Sequence, residues 1–323
     1  MKYHIQHDFN DWPHFYVSTF FNKLYKKLQK KYEEHDFEIV NHPKYDNFGY
    51  GSIFSCMNFS IINPTNQKYM LVSFFDNWRY HFMKHIGWQP ENMVKFFYPG
   101  GFNYFDYFNW RKETIGNDDL YCPLDITKIY KSFYYGPYGP SKIDYEHKED
   151  TLDEMIFRGW LWPFRSQMLS RVNDESVVII EKRQNEAAET LSYEDYLKEL
   201  SEYRCALSLP GGTEICNRDI ECFAVGTPVI RPFINTDYDD PLIPNYHYIS
   251  CFSDIKYWNG NPEHSDFESF GDRLLETWNR VRYNEEYLRF ISENARRWYE
   301  KHCTLDKNLR YLLRHIKLEE LNG

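Results

Sequence analysis

The stretch CALSLPGGTEICNRDIECFAVGTPVIRP, residues 205–232, carries residue types suited to holding an anion. Pro210-Gly211-Gly212 follows an apolar strand pattern, and glycines let backbone N–H groups come close to a ligand. Thr213 is the expected N-cap of a helix over 214–224. The start of such a helix offers unpaired N–H groups and the positive end of the helix dipole. At about 100° per residue, Glu214, Asn217, Arg218 and Glu221 share one stripe, with Cys216, Ile220 and Phe223 opposite. The apolar side is expected to pack on a sheet, leaving the polar row to face elsewhere. Arg218 has the planar fork that neutralises a diphosphate bidentately, and Glu221 can accept both hydroxyls of a ribose. A solvated helix face with ion pairs is the plainer alternative; the paired glycines ahead of the helix favour a site.

A second cation stands upstream. Phe157-Arg158-Gly159 ends an apolar run, which puts Arg158 at the carboxyl end of a strand and lets Gly159 keep the following turn open. A proton acceptor is also needed if a hydroxyl is to be activated. Asp76, after the strand pattern YMLVSFF, is the first candidate; His7 and Asp8, just past the first strand, come second, and Asp106 third. Each of these is equally well a turn or capping carboxylate.

These residues need a frame to position them. In the N-terminal half, strands are predicted over 2–6, 37–40, 69–75 and 93–98, with a helix over 15–32. The segment 130–148, with GPYGP and then mixed charges, reads as a linker. Beyond it, strands at 154–157, 177–180, 205–209, 228–231 and 246–251 alternate with helices at 164–172, 193–203 and 214–224, and the chain is helical from 267 to 316 with a break near 303–304. Strands alternating with helices give a parallel sheet covered on both faces, where ligands bind at the carboxyl ends of the strands. The expected organisation is an α/β protein of two domains, over 1–148 and 149–323.

The 323 residues are enough for two such cores. With 42% hydrophobic and 27% charged residues the chain is a folded protein rather than a disordered one. The longest apolar runs, such as Val177–Ile180, are too short to span a bilayer, and the N-terminus lacks a signal-peptide layout, so a cytoplasmic protein is expected. Seven scattered cysteines with no Cys-x-x-Cys pair suggest neither a zinc site nor a disulfide framework. A net charge of −10 argues against a general nucleic-acid binder. The 19% of aromatic residues would suit a sugar-handling surface but is explained as well by a biased genome.

The run from Glu221 to Ile230, ECFAVGTPVI, resembles the donor-binding segment of GT-B glycosyltransferases, in which a strand, a Gly turn and a Glu-bearing helix end in a GTPVI strand. Leu-Pro-Gly-Gly followed by Arg218 and Glu221 is nearer still to the exostosin-like enzymes and to the protein O-glucosyltransferase (capsule-associated, lipopolysaccharide-modifying) family, which also has Phe-Arg-Gly at the end of a strand. The resemblance covers residues 154–252. It implies two Rossmann-like domains facing across a cleft, an acceptor-side domain over 1–148 and a donor-binding domain over 149–323, with the last helix returning to the first domain. It further implies sugar transfer from a nucleotide diphosphate sugar, UDP-linked, to a hydroxyl of a glycan or protein. Arg158, Gly159, Gly211, Gly212, Thr213, Glu214, Arg218 and Glu221 would hold the donor, and Asp76 would act as base.

One departure bears on stereochemistry. Retaining GT-B enzymes place two Glu eight apart, and the residue eight before Glu221 is Thr213, with Glu214 one position off. Inversion is therefore expected, with a retaining transferase or a non-catalytic carbohydrate-binding protein on the same fold as alternatives. Asp237-Tyr238-Asp239 has the Asp-x-Asp spacing of metal-dependent GT-A enzymes but lacks the preceding apolar strand and reads as a turn. His81 and His85 have a metal-like i,i+4 spacing without an evident third ligand. No P-loop or Gly-x-Gly-x-x-Gly occurs. No metal and no cofactor are expected, since two Arg and a helix terminus can neutralise the leaving diphosphate.

Overall fold

The computed structural model describes residues 1–7, 15–41, 58–73, 90–98, 129–131, 147, 150–161, 163–181, 191–210, 215–234, 238–251 and 269–323. The chain forms two compact units. The first is drawn from Met1–Gly100, Ile115–Tyr138 and Leu305–Gly323, the second from Gly101–Thr114 and Gly139–Thr304. It is a mixed α/β protein whose two sheets are rich in parallel strands.

The first unit holds a six-stranded sheet of β1 (Lys2–His7), β2 (Asp36–Asn41), β3 (Asn58–Ile62), β4 (Tyr69–Ser73), β5 (Met93–Tyr98) and β6 (Ile129–Lys131), ordered β2-β1-β3-β4-β5-β6. β3 runs antiparallel to both neighbours, and the other pairings are parallel. Alternation explains the core: Tyr3 and Ile5, Phe59 and Ile61, and Met70 and Val72 are buried together. Helix α1 (Phe15–Lys31) adds Phe20, Phe21, Leu24 and Leu28 to that core, with Phe21 stacked on Phe59 at 5.3 Å. Lys30 and Lys31 occupy its last turn, where cations suit the dipole.

A C-terminal helix, Leu305–His315, and a 3₁₀ turn at Leu318–Leu321 complete this core with Leu309, Leu312, Ile316 and Leu321. The segment is tied down by its carbonyls. Tyr32 Oη donates to the Ile316 carbonyl at 2.7 Å, Asn63 Nδ2 to that of Leu321 at 3.0 Å, and Lys95 Nζ to that of His315 at 2.8 Å. Lys95 shares a strand with buried Met93 and Phe97, so its charge needs a partner; Glu320 supplies one at 2.6 Å.

The second unit contains β7 (Leu152–Gly159), α2 (Pro163–Leu169), β8 (Val177–Glu181), α3 (Tyr193–Glu202), β9 (Tyr203–Leu207), α4 (Asn217–Val225), β10 (Val229–Arg231), β11 (Ile249–Ser250), α5 (Phe270–Val281) and α6 (Glu285–His302). Its five strands are all parallel, in the order β11-β10-β9-β7-β8. From β7 the chain steps outward to β8, then returns past β7 to β9 and continues in the opposite direction. The reversal falls between β7 and β9, so their carboxyl ends flank a topological switch point, where ligands bind in sheets of this kind. Among the described residues no helix is long and apolar enough to cross a membrane.

Candidate functional site

The switch point is held together by a buried arginine. Arg165 of α2 donates through Nη1 to the Trp160 carbonyl at 2.9 Å, through Nη2 to Leu209 at 2.8 Å and through Nε to Pro210 at 2.7 Å. One guanidinium thus gathers the chain leaving β7 and the chain leaving β9, satisfying carbonyls that would otherwise be buried without donors.

Helix α4 follows the second of these loops and begins later than its sequence suggests. Its N-cap is Cys216, not Thr213, and its first residue is Asn217, so Glu214 precedes the helix rather than opening it. The reason is local. Cys216 is extended (φ −117°, ψ 169°), and its backbone N–H donates to the Asp219 carboxylate at 2.8 Å, which closes the helix start. Asp219 is fully buried, and a fully buried Arg231 at the end of β10 pairs with it at 2.7 Å.

The far end of α4 gives physical content to the Gly-Thr-Pro-Val-Ile run. Gly226 adopts φ +90°, the left-handed cap that ends a helix, and donates to the Cys222 carbonyl at 2.8 Å. Thr227 Oγ1 donates to the Leu200 carbonyl of α3 at 2.8 Å, Pro228 cannot continue a helix, and Val229 and Ile230 are buried in the sheet.

The polar row of α4 is not solvated. Arg218 is 9% exposed and Glu221 6%, so the helix is buried on its polar side as well. Arg218 lies over the Phe157 ring at 4.5 Å and donates through Nη2 to the Arg158 carbonyl. Its Nε and Nη1 are buried and make no hydrogen bond among the described residues. Gly159 belongs to this contact, because a Cβ there would overlap Arg218 Nη2. Glu221 accepts from Tyr193 Oη at 3.1 Å. Burial pushes its carboxyl above the ordinary range, while the Tyr193 hydrogen bond and the Arg218 charge pull it back. Arg158 is half-buried, and Glu199 of α3 takes its Nε at 2.6 Å and its Nη2 at 2.5 Å, which raises the guanidinium's already high pKa further.

The structure therefore brings together Arg158, Gly159, Arg218 and Glu221 at the carboxyl end of β7. Asp76, Asp8, Asp106, Gly211, Gly212, Thr213, Glu214, His81, His85 and Asp237 lie outside the described residues, as does the side chain of His7, whose backbone closes β1. At the Asp-x-Asp segment Tyr238 is buried against Trp298, Asp239 is exposed, and Asp240 is paired with Lys301 and His302. Among the described residues no cluster of three or more His, Cys, Asp or Glu could hold a metal ion. Sequence reasoning missed Arg165, Asp219, Arg231, Tyr193 and Glu199. Arg231 was detectable by the strand-end logic applied to Arg158; Asp219, three residues after a cysteine, and the α3 residues had no local signal.

No protein-family model matches the chain, and no curated protein matches it. Among solved structures it is similar to a glycosyltransferase from Rickettsia africae ESF-5, with 12% identity, 97% of this chain and 83% of that one covered, and a TM-score of 0.43. It is also similar to the pneumococcal O-GlcNAc transferase GtfA in complex with UDP and GlcNAc, with 9% identity, coverage of 76% and 48%, and a TM-score of 0.41. TarM gives 11% identity, coverage of 83% and 64%, and a TM-score of 0.41. The chain thus aligns with about half the length of the pneumococcal enzyme.

Proposed function

We propose that this chain is a glycosyltransferase that moves a sugar from a nucleoside diphosphate sugar, UDP-linked, to a hydroxyl of a glycan or protein acceptor. The observation that carries the reading is Arg218, a buried guanidinium at the switch point with Nε and Nη1 unpartnered among the described residues. Leaving two of its buried donors without acceptors is costly, and a diphosphate would supply them. In this reading the α4 terminus, the 211–214 segment, Arg218 and the remaining edge of Arg158 hold the diphosphate, and Glu221 accepts the ribose hydroxyls. The first domain presents the acceptor.

The acceptor oxygen attacks the anomeric carbon, and the bond from that carbon to the diphosphate oxygen breaks. The electron pair leaves on the diphosphate, where the guanidinium charge stabilises it. Asp76 takes the acceptor proton, with His7 and Asp8 next in line, and the product is inverted. No metal takes part, because the arginines supply the positive charge, and turnover survives chelation with EDTA. The test is calorimetric titration of UDP into the wild type and Arg218→Ala: binding to the wild type alone supports the reading, and equal affinity overturns it. NMR of the product's anomeric configuration separates inversion from retention.

A further inference from the structure

Helix α3 presents Tyr193, Tyr196 and Glu199, each three residues beyond the last, to the residues already described. Glu199 grips Arg158, as above. At the other end of the row, Tyr193 Oη donates to Glu221 Oε1 at 3.1 Å. The helix start that aims Tyr193 is itself locked: Ser192 Oγ accepts from the Asp195 N–H at 3.0 Å and donates to Asp195 Oδ2 at 2.6 Å. Tyr193 is thus the first residue of a capped helix, and its ring leans on that of Tyr196 at 6.3 Å between centroids.

A carboxylate that accepts two adjacent hydroxyls must hold one orientation, because both hydrogen bonds are directional. Glu221 is buried, and the Tyr193 hydrogen bond, with Tyr196 and the Arg218 charge beside it, restrains the orientation of the group. We propose that Tyr193 is a positioning residue that orients Glu221 to accept a cis-diol, so that selectivity for ribonucleotides depends on it. The inference rests on the reading that Glu221 accepts the donor's ribose.

The experiment compares UDP with 2′,3′-dideoxy-UDP as probes, by calorimetry, in the wild type and Tyr193→Phe. The wild type binds UDP the more tightly. Tyr193→Phe loses about five-fold in UDP affinity, the scale of one neutral hydrogen bond, and keeps its affinity for the dideoxy probe, which also reports that the site is folded. A variant that retains the full preference for UDP overturns the role of Tyr193 alone, as does equal weakening of both probes. A wild type that binds the two probes equally overturns the assignment of Glu221 to ribose, and the proposal with it.

Discussion

In the first unit the buried sheet face is aromatic and aliphatic, and Lys95 is the buried charged residue among those described; in the second, Arg165, Arg218, Asp219, Glu221 and Arg231 are all buried within one end of the sheet. The two sheets are of similar size, so the contrast is not a matter of available interior. Lys95 is fully accounted for by a carbonyl and a carboxylate. The second group is only partly accounted for: Arg165 and Arg231 have partners, while Arg218 and Asp219 keep buried atoms without one among the described residues. Buried charge that is fully paired maintains a fold, whereas buried charge left short of partners is where the proposed donor would complete the structure.

Four substitutions sharpen or break that contrast. The largest effect is expected from Arg231→Met, which strands the Asp219 carboxylate in the interior and costs about 3–5 kcal/mol in urea denaturation. Mutating Asp219→Asn in the same chain recovers a part of it. Next, Arg218→Ala weakens UDP binding by about 1.5–3 kcal/mol yet costs the unliganded protein little stability, because the cation removed was itself short of partners. A large loss of stability without loss of binding would make Arg218 structural and erase the distinction between the two units. Third, Lys95→Met costs about 1.5 kcal/mol and leaves nucleotide affinity unchanged.

The smallest effect concerns Glu221, which Tyr193 and Tyr196 face from α3 and Arg218 and Asp219 from α4. Its folded-state pKa lies above the unfolded value, so the folded protein binds its proton more tightly than the unfolded chain does. It therefore costs stability as pH rises through the carboxylate range to that raised value. Glu221→Gln should raise Tm at pH 7, where the folded protein bears the buried charge, and leave it nearly unchanged at pH 4. A variant with the same Tm difference at both pH values would remove the titration from the account.

Regular alternation and helical periodicity were legible. The segments at Lys2, Phe15, Asp36, Met93 and Val177 were located within a residue or two. β3 was not predicted, because Asn58-Phe59-Ser60-Ile61-Ile62 offers only two apolar residues, Phe59 and Ile61, before the final isoleucine and leads straight into a turn at 64–66. β6 was hidden at the edge of what read as linker. The strand-end position of Arg158 and the shared helix stripe of Arg218 and Glu221 were legible, while their role in holding a donor is the proposal made above. The burial of that stripe was not foreseen, since it depends on α3 packing against α4 through pairs such as Tyr193 and Glu221, 28 residues apart. The helix start was misjudged because a cysteine cap lies outside the usual set of capping residues.

The C-terminal segment of the first unit has a consequence for biogenesis. Tyr3 Oη donates to Asn322 Oδ1 at 3.1 Å, and Asn63 donates to the Leu321 carbonyl across 258 residues of chain. Closing so long a loop is entropically slow, and a core that waits for it forms late. On the ribosome, the strands of the first unit emerge early but meet their last core residues only after 305–323 have been synthesised. The contiguous stretch 139–304 of the second unit is by then complete. The second unit is thus set to mature before the first, and the early strands, with the core of Ile5, Phe59 and Val72 completed only in part by α1 until then, are where a nascent chain most needs shielding.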